Sequence, residues 1–197
     1  MSKVVAIVGS YRRGGTTDTA VEAILAGARE KGAETQTIYL TEHPIRFCTN
    51  CRKCVQALGE TRRMCVQEDG LEAILQQIET ADSVVLGSPV NFGNATAIFR
   101  RFLERLLGSA YWPWGQNAPT GRSKRMTRKA VLVATSAMPG FLIPIATGTG
   151  KALNMAATRL GAKTVGSLWV GLAAAEPHHE LSARTREKTR HLGWKLG

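Results

Sequence analysis

The sequence contains no hydrophobic run approaching the roughly 20 residues that span a bilayer. It also lacks the G-x-G-x-x-G fingerprint, so a pyrophosphate-bearing dinucleotide is not the natural occupant of its first loop. No internal repeat or low-complexity linker divides it, and the reading is one α/β domain over residues 1–197. Met1-Ser2-Lys3 leads straight into the first strand without a secretory leader, from which a cytoplasmic location is expected. Acidic residues are scarce: 15 Asp and Glu stand against 26 Lys and Arg, a formal net charge of +11. Much of the excess falls in residues 122–129 and 184–195. No nucleic-acid motif accompanies it, which makes nucleic-acid binding a minor reading. The others are a solvated basic surface, or attraction for anionic partners such as NADPH phosphates or an acidic electron-transfer protein.

The chain is organised around Gly9-Ser10-Tyr11-Arg12-Arg13-Gly14-Gly15-Thr16-Thr17. The apolar run before it, residues 3–8, reads as a buried parallel strand. After it, residues 18–31 place Ala20, Val21, Ile24, Leu25 and Ala28 on one helical face. The loop is therefore a strand-to-helix turn. The free amides and positive end of the helix dipole suit a phosphate, and Ser10, Thr16 and Thr17 add hydroxyls. Gly15 stands where a nucleotide-triphosphate loop needs lysine, which argues against an NTPase. A single phosphate, as in FMN, fits better; a generic turn that needs its glycines for backbone freedom is the alternative.

Aliphatic strands are expected at 34–40, 82–87, 129–135 and 162–170, and helices at 70–80, 95–107, 149–160 and 180–196. Gly32 is placed as a left-handed cap on the first helix. Five strands alternating with helices predict a three-layer sandwich around a parallel sheet of order 2-1-3-4-5. That order puts the switch point between strands one and three, where the loops at Ser10 and Pro89 flank one crevice. Residues 88–94 and 136–141 read as further loops on the ligand edge. The stripe of Ile98, Phe99, Phe102, Leu103, Leu106 and Leu107 is wide, and its excess is read as a subunit interface of a homodimer or homotetramer. Residues 108–128 form a long loop in which Trp112 and Trp114 either cap a ligand or cover a helix end.

Residues 41–69 form a long insertion loop holding every cysteine: Cys48, Cys51, Cys54 and Cys65. In a cytoplasmic chain this clustering points to metal or redox use more than to disulfides. C-x2-C-x2-C with a fourth thiol suits three corners and a closing ligand of a [4Fe–4S] cluster; four-thiolate zinc and free thiols are the alternatives. His178-His179 is a weak metal pair, since adjacent side chains diverge. No residue stands out as a general acid or base, and hydride transfer to a flavin needs none.

Three ordered motifs carry a resemblance. Gly9-Ser10-Tyr11-Arg12-Arg13-Gly14-Gly15-Thr16-Thr17 is similar to the G-S-x-R-x-x-G-N-T loop of the flavodoxin-like NAD(P)H-dependent FMN reductase family, with Gly15 for the usual Asn. The four cysteines followed by Glu68-Asp69 resemble that family's iron–sulfur flavoprotein branch, although ten residues separate Cys54 from Cys65, more than that branch generally shows. Ser88-Pro89-Val90-Asn91-Phe92-Gly93-Asn94 resembles S-P-x-Y-F-G-N, with Asn91 for Tyr. The resemblance implies that Ser10, Arg12, Gly15, Thr16 and Thr17 hold the FMN phosphate. It implies that Pro89, Val90, Asn91, Phe92 and Gly93 wrap the ring edge, and that Ser136 to Gly140 closes the other side. NAD(P)H is the implied co-substrate, with a flavin, a quinone or a similar small molecule as acceptor. A ferredoxin-like donor and a [4Fe–4S] carrier function form the alternative.

Overall fold

Runs of Val, Ile, Leu and Ala become the strands of one parallel sheet because helices cover both of its faces. In the computed structural model, which describes residues 1–122, 125–175 and 180–197, the elements are as follows in chain order. β1 (Lys3–Val8) leads through the first loop into α1 (Thr16–Arg29) and then β2 (Glu34–Tyr39). The cysteine loop precedes α2 (Leu71–Glu79), β3 (Ser83–Asn91), β4 (Asn94–Ala95) and α3 (Ala97–Arg105). A small hairpin, β5 (Ala110–Tyr111) with β6 (Thr120–Gly121), comes before β7 (Arg128–Thr135). The chain closes with α4 (Ile143–Ala146), α5 (Thr149–Arg159), β8 (Ala162–Val170) and α6 (Ala183–Trp194).

The sheet runs β2-β1-β3-β7-β8, the order expected from the sequence, and all four pairings are parallel. Alternation along each strand divides the core. Val5, Ile7, Val84, Leu86, Leu132 and Ala134 pack with residues of α2, α3 and α5. Val4, Ala6, Val8, Val85, Val131 and Val133 pack with residues of α1 and α6 on the opposite face. α1 and α6 approach so closely that a Cβ on Gly193 would lie 2.2 Å from the Ile24 carbonyl oxygen. Backbone-to-backbone contact of this kind docks α6 despite its sparse apolar stripe, through Leu192, Leu196 and the glycine itself. Gly32 has φ +81, the left-handed geometry expected of it.

The structure departs from the sequence reading in several places, and the β5–β6 hairpin inside the expected 108–128 loop is one of them. Residues 88–94 are not a free loop. β3 continues to Asn91 and folds back on β4, with Phe92 (φ 47) and Gly93 (φ 74) as the turn. Pro89 is tolerated in this extension because the Gly87 carbonyl already faces β1, accepting from Gly9 N–H at 2.8 Å. Two residues on, Pro89 faces the same side beyond the end of β1, where no ladder bond is lost. Most of the α3 stripe is consumed inside the chain: Ile98, Phe99, Phe102, Leu103 and Leu106 are buried, and Leu107 alone of the stripe is partly exposed. Finally, residues 136–148 hold a 3-10 turn (Gly140–Leu142) and the short α4, which no periodicity announced.

Phe99 and Phe102 sit edge to face at 6.1 Å and are fully buried. Phe102→Ala is expected to lower stability by about 3–5 kcal/mol through lost transfer energy and a cavity. Urea denaturation should show a reduced midpoint with an unchanged slope.

Candidate functional site

The first loop is shaped by its own side chains. Ser10 Oγ, largely buried, accepts from Arg12 N–H and lies 3.2 Å from the Arg12 carbonyl, folding the loop back on itself. Gly14 takes φ +66, and Gly15 is the extended residue before α1. The first helical bond runs from Thr19 N–H to the Gly15 carbonyl at 2.9 Å, so the amides of Thr16, Thr17 and Asp18 have no intrahelical acceptor. Gly14 N–H donates to Asp18 Oδ2 at 2.7 Å. Asp18 Oδ1 accepts from Tyr39 OH at 2.6 Å. Arg13 stacks on the Tyr39 ring at 3.2 Å and pairs with Glu42 at 2.7 Å. Burial, then the hydrogen bond to Asp18 and its charge, push the Tyr39 phenol up to about 12.

This loop opens into a cleft of about 330 Å³ at the carboxyl edge of the sheet. Of the residues expected there, Ser10, Arg12, Gly15, Thr16, Thr17, Pro89, Val90, Asn91 and Ser136 line it. The Thr17 hydroxyl, however, is bonded to Thr135 Oγ1 at 2.7 Å and turned into the core. Phe92 and Gly93 form the turn beside the cleft rather than its wall, with the Phe92 side chain fully exposed. Gly140 lies behind the wall, its backbone against Trp169 and Gly171. Ala137, within the expected 136–140 loop, also lines it; Tyr11, Thr135, Ala173 and Ala174 complete the lining and were not anticipated. Thr135 was detectable as the last residue of a strand on the ligand edge. Ala173 and Ala174 carried no signal: the segment after β8 reaches the cleft because Ala173 N–H donates to the Ser136 carbonyl at 2.9 Å.

The cysteine loop is ordered by arginines. Arg105 and Asp69 form an ion pair at 2.6 Å with both side chains almost fully buried. Arg105 also donates to the Arg46 carbonyl at 2.7 Å, and Arg46 N–H donates to Asp69 at 2.8 Å. Burial pushes the Asp69 carboxyl up, but Arg105 and the amides of Arg46 and Leu71 outweigh it and hold the group below its ordinary value of 3.8. Arg52, with φ 58, is sandwiched between Trp112 and Trp114 at 3.8 and 4.1 Å and donates to the Trp112 carbonyl at 2.8 Å. The two tryptophans therefore brace the cysteine loop and do not line the cleft. Arg122 donates to the Cys54 and Ala57 carbonyls at 3.1 and 2.8 Å.

Cys54 lies within electrostatic reach of the other three thiols. Burial pushes the Cys54 thiol up, and Cys65, Cys48 and Cys51 add to the shift. Cys51 is exposed, and the Lys53 amide draws its thiol down. Among the described residues, no three Cys, His, Asp or Glu side chains stand as a ready-made site for a metal ion. His178 and His179 lie outside the described residues, as do Ser123 and Lys124 of the basic 122–129 stretch. A second cleft, of about 440 Å³, sits at the amino edge of the sheet. Two of its guanidinium groups brace the fold: Arg62 pairs with Glu72 and Glu79, and Arg128 bonds the carbonyls of Ile78, Glu79, Ala81 and Leu160.

Asp69→Ala is expected to cost about 3–5 kcal/mol, because it strands a buried guanidinium. Asp69 is held low, so its contribution is present above pH 3.8 and is lost as pH falls through its folded value. Tyr39 is held high, so its contribution is present below its ordinary value of 10.0 and is lost as pH rises through about 12. Thermal midpoints of the wild type and Tyr39→Phe should therefore converge across that alkaline range.

Residues 2–176 match the family model for NADPH-dependent FMN reductase. An iron-sulfur flavoprotein of Archaeoglobus fulgidus is 33% identical over 111 residues, which cover 56% of this chain and 48% of that one. An iron-sulfur flavoprotein of Methanosarcina thermophila is 28% identical over 103 residues, 52% of this chain and 51% of that one. The chain spans about half the length of the curated relatives it matches. An azoreductase from Bacillus anthracis shares the fold with TM-score 0.70 at 16% identity, covering 99% of this chain and 100% of that chain. An NAD(P)H:quinone oxidoreductase from Methanothermobacter marburgensis does so with TM-score 0.66 at 13% identity, covering 98% and 96%. No helix among the described residues is long and apolar enough to cross a membrane. With the family model running through the first loop, the cysteine segment, the β3–β4 turn and the loop after β7, the chain belongs to the NADPH-dependent FMN reductase family.

Proposed function

We propose that the chain binds FMN in the cleft at the β1–β3 switch point and works as an NAD(P)H-dependent oxidoreductase on a flavin, a quinone or a similar small acceptor. One observation carries this: the free amides of the first turn of α1 open into a cleft of about 330 Å³ walled by Pro89, Val90 and Asn91. The size suits a cofactor pocket, and the amide end of a helix suits a phosphate. Ser10, Arg12, Gly15 and Thr16 take the phosphate side. Thr17 contributes its amide, since its hydroxyl is bonded to Thr135. Pro89, Val90 and Asn91 take the ring edge, the Phe92-Gly93 turn extends it, and Ser136 faces it, with Gly140 buttressing from behind.

FMN held there by Ser10, Arg12, Gly15 and Thr16 and by Pro89, Val90 and Asn91 would supply the hydride chemistry between reduced nicotinamide and acceptor. The chain's part is orientation and shielding: among the described residues, the lining holds no histidine or carboxylate to act as acid or base. We read residues 41–69 as an insertion within a single domain. The exposed Phe92, Phe141 and Ile145 are apolar surface that a second copy would cover in a homodimer or homotetramer.

The placing of four cysteines on one arginine-braced loop, with Cys54 in electrostatic reach of the other three, supports a second reading, an electron carrier fed by a ferredoxin-like protein. Cys48, Cys51, Cys54 and Cys65 would then hold a [4Fe–4S] cluster, which spreads its thiolate ligands wider than a single metal ion does. The arginine-braced loop would keep them in place.

Anaerobically purified protein should be yellow, and NADPH or NADH should bleach the flavin band. Failure of both nucleotides to bleach it, with reduction by ferredoxin, would replace the first reading by the second; iron and sulfide assays report the cluster. Arg12→Ala should weaken FMN binding about tenfold, the scale of one charge-assisted bond, as measured by quenching of flavin fluorescence.

A further inference from the structure

The cleft is made by loops from different strands, and something must set their separation. Gly9, the first residue beyond β1, is held on both sides. Its N–H donates to the Gly87 carbonyl at 2.8 Å. Its carbonyl accepts from the Thr96 hydroxyl at 2.5 Å. Thr96 is fully buried. Its backbone N–H donates to Ser88 Oγ at 3.1 Å, and the Ser88 hydroxyl donates to the Pro89 carbonyl at 2.9 Å. Thr96 Oγ1 also accepts from Phe99 N–H at 3.3 Å, capping α3. Each hydroxyl has one hydrogen to give: that of Thr96 goes to Gly9 and that of Ser88 to Pro89. The relay is saturated and links the phosphate loop, the ring-edge strand and the start of α3.

The packing leaves no slack. A Cβ on Gly9 would stand 2.7 Å from Phe99 Cβ, so the loop's backbone rests on the first turn of α3. Tyr11 OH adds a second latch, accepting from Ile98 N–H at 3.1 Å. A helix cap needs only an acceptor for an early amide. The donation from Thr96 to a carbonyl 87 residues away is an additional function of the same atom.

We propose that Thr96 is a positioning residue that sets the spacing of the two cofactor-binding loops through Gly9 and Ser88. This rests on the FMN reading above. Thr96→Val keeps the shape, removes the donor and strands the Gly9 carbonyl; Thr96→Ser keeps the hydroxyl. Ser182→Ala is the matched control, because Ser182 caps α6 by accepting from Thr185 N–H at 3.2 Å, on an element packed against α1 outside the cleft lining.

The test measures FMN dissociation constants, the visible circular dichroism of bound flavin and thermal midpoints of the full chain. Thr96→Val should raise the FMN dissociation constant about tenfold, the loss expected for one buried hydrogen bond, and alter the flavin dichroism. Thr96→Ser should restore both, and Ser182→Ala should lower the midpoint alone. Should Thr96→Val not fold, Ser88→Ala breaks the same relay from its other end and should give the same weakening. Wild-type FMN affinity and dichroism in Thr96→Val, or in Ser88→Ala where that variant replaces it, would overturn the proposal alone. A wild-type chain that takes up no FMN would overturn the functional reading and this proposal together.

Discussion

Everything at the candidate site depends on where β1 stops. It pairs with β2 on one side and β3 on the other, and its last ladder residue, Val8, lies level with Gly87. β3 runs on to Asn91, supported by β7 as far as Thr135. The mismatch in length opens the crevice. A parallel sheet buried on both faces gives β1 no freedom to slide, since a one-residue slip would turn Val5 and Ile7 from one helical layer into the other. Core packing thereby places the first amides of α1 against the exposed end of β3.

The two halves of the molecule use different physics. The cleft is built mainly from backbone groups and small side chains fixed by hydroxyl bonds, as at Ser10, Thr17, Ser88, Thr96 and Ser136. Such walls suit a ligand that brings its own reactivity. The cysteine loop lacks secondary structure apart from short 3-10 turns. It is held by guanidinium groups bonded to carbonyls, by the buried Arg105–Asp69 pair and by the stacking of Arg52 on two tryptophans. The rigid planar fork of arginine suits it to satisfying several carbonyls of an irregular segment at once.

The strand order and the positions of the five main strands were legible, because uninterrupted aliphatic runs between amphipathic segments admit few other arrangements. That the first loop borders a cleft at the carboxyl edge of the sheet was legible from its glycines and hydroxyls between a strand and a helix. The extension of β3 was not, because Pro89 and Gly93 are turn residues in isolation, and only the end of β1 makes a proline acceptable there. Nor was the role of Trp112 and Trp114, whose partner Arg52 lies some sixty residues earlier in the chain. The wide stripe of α3 suggested a subunit contact because a sequence does not show how much sheet is available to cover it. The chain itself covers all of it but part of Leu107.

Local chemistry alone determined that a parallel sheet forms, that its first turn leaves helix amides without intrahelical acceptors, and that four thiols share one segment. These follow from side-chain polarity, periodicity and glycine geometry within short windows. Tertiary structure alone decided which hydroxyls face the cleft and which turn inward, that alanines after β8 complete the wall, and that arginines pin the cysteine loop. Those outcomes depend on contacts between residues far apart in the chain, where a hydrogen bond forms only with the partner that packing brings within reach.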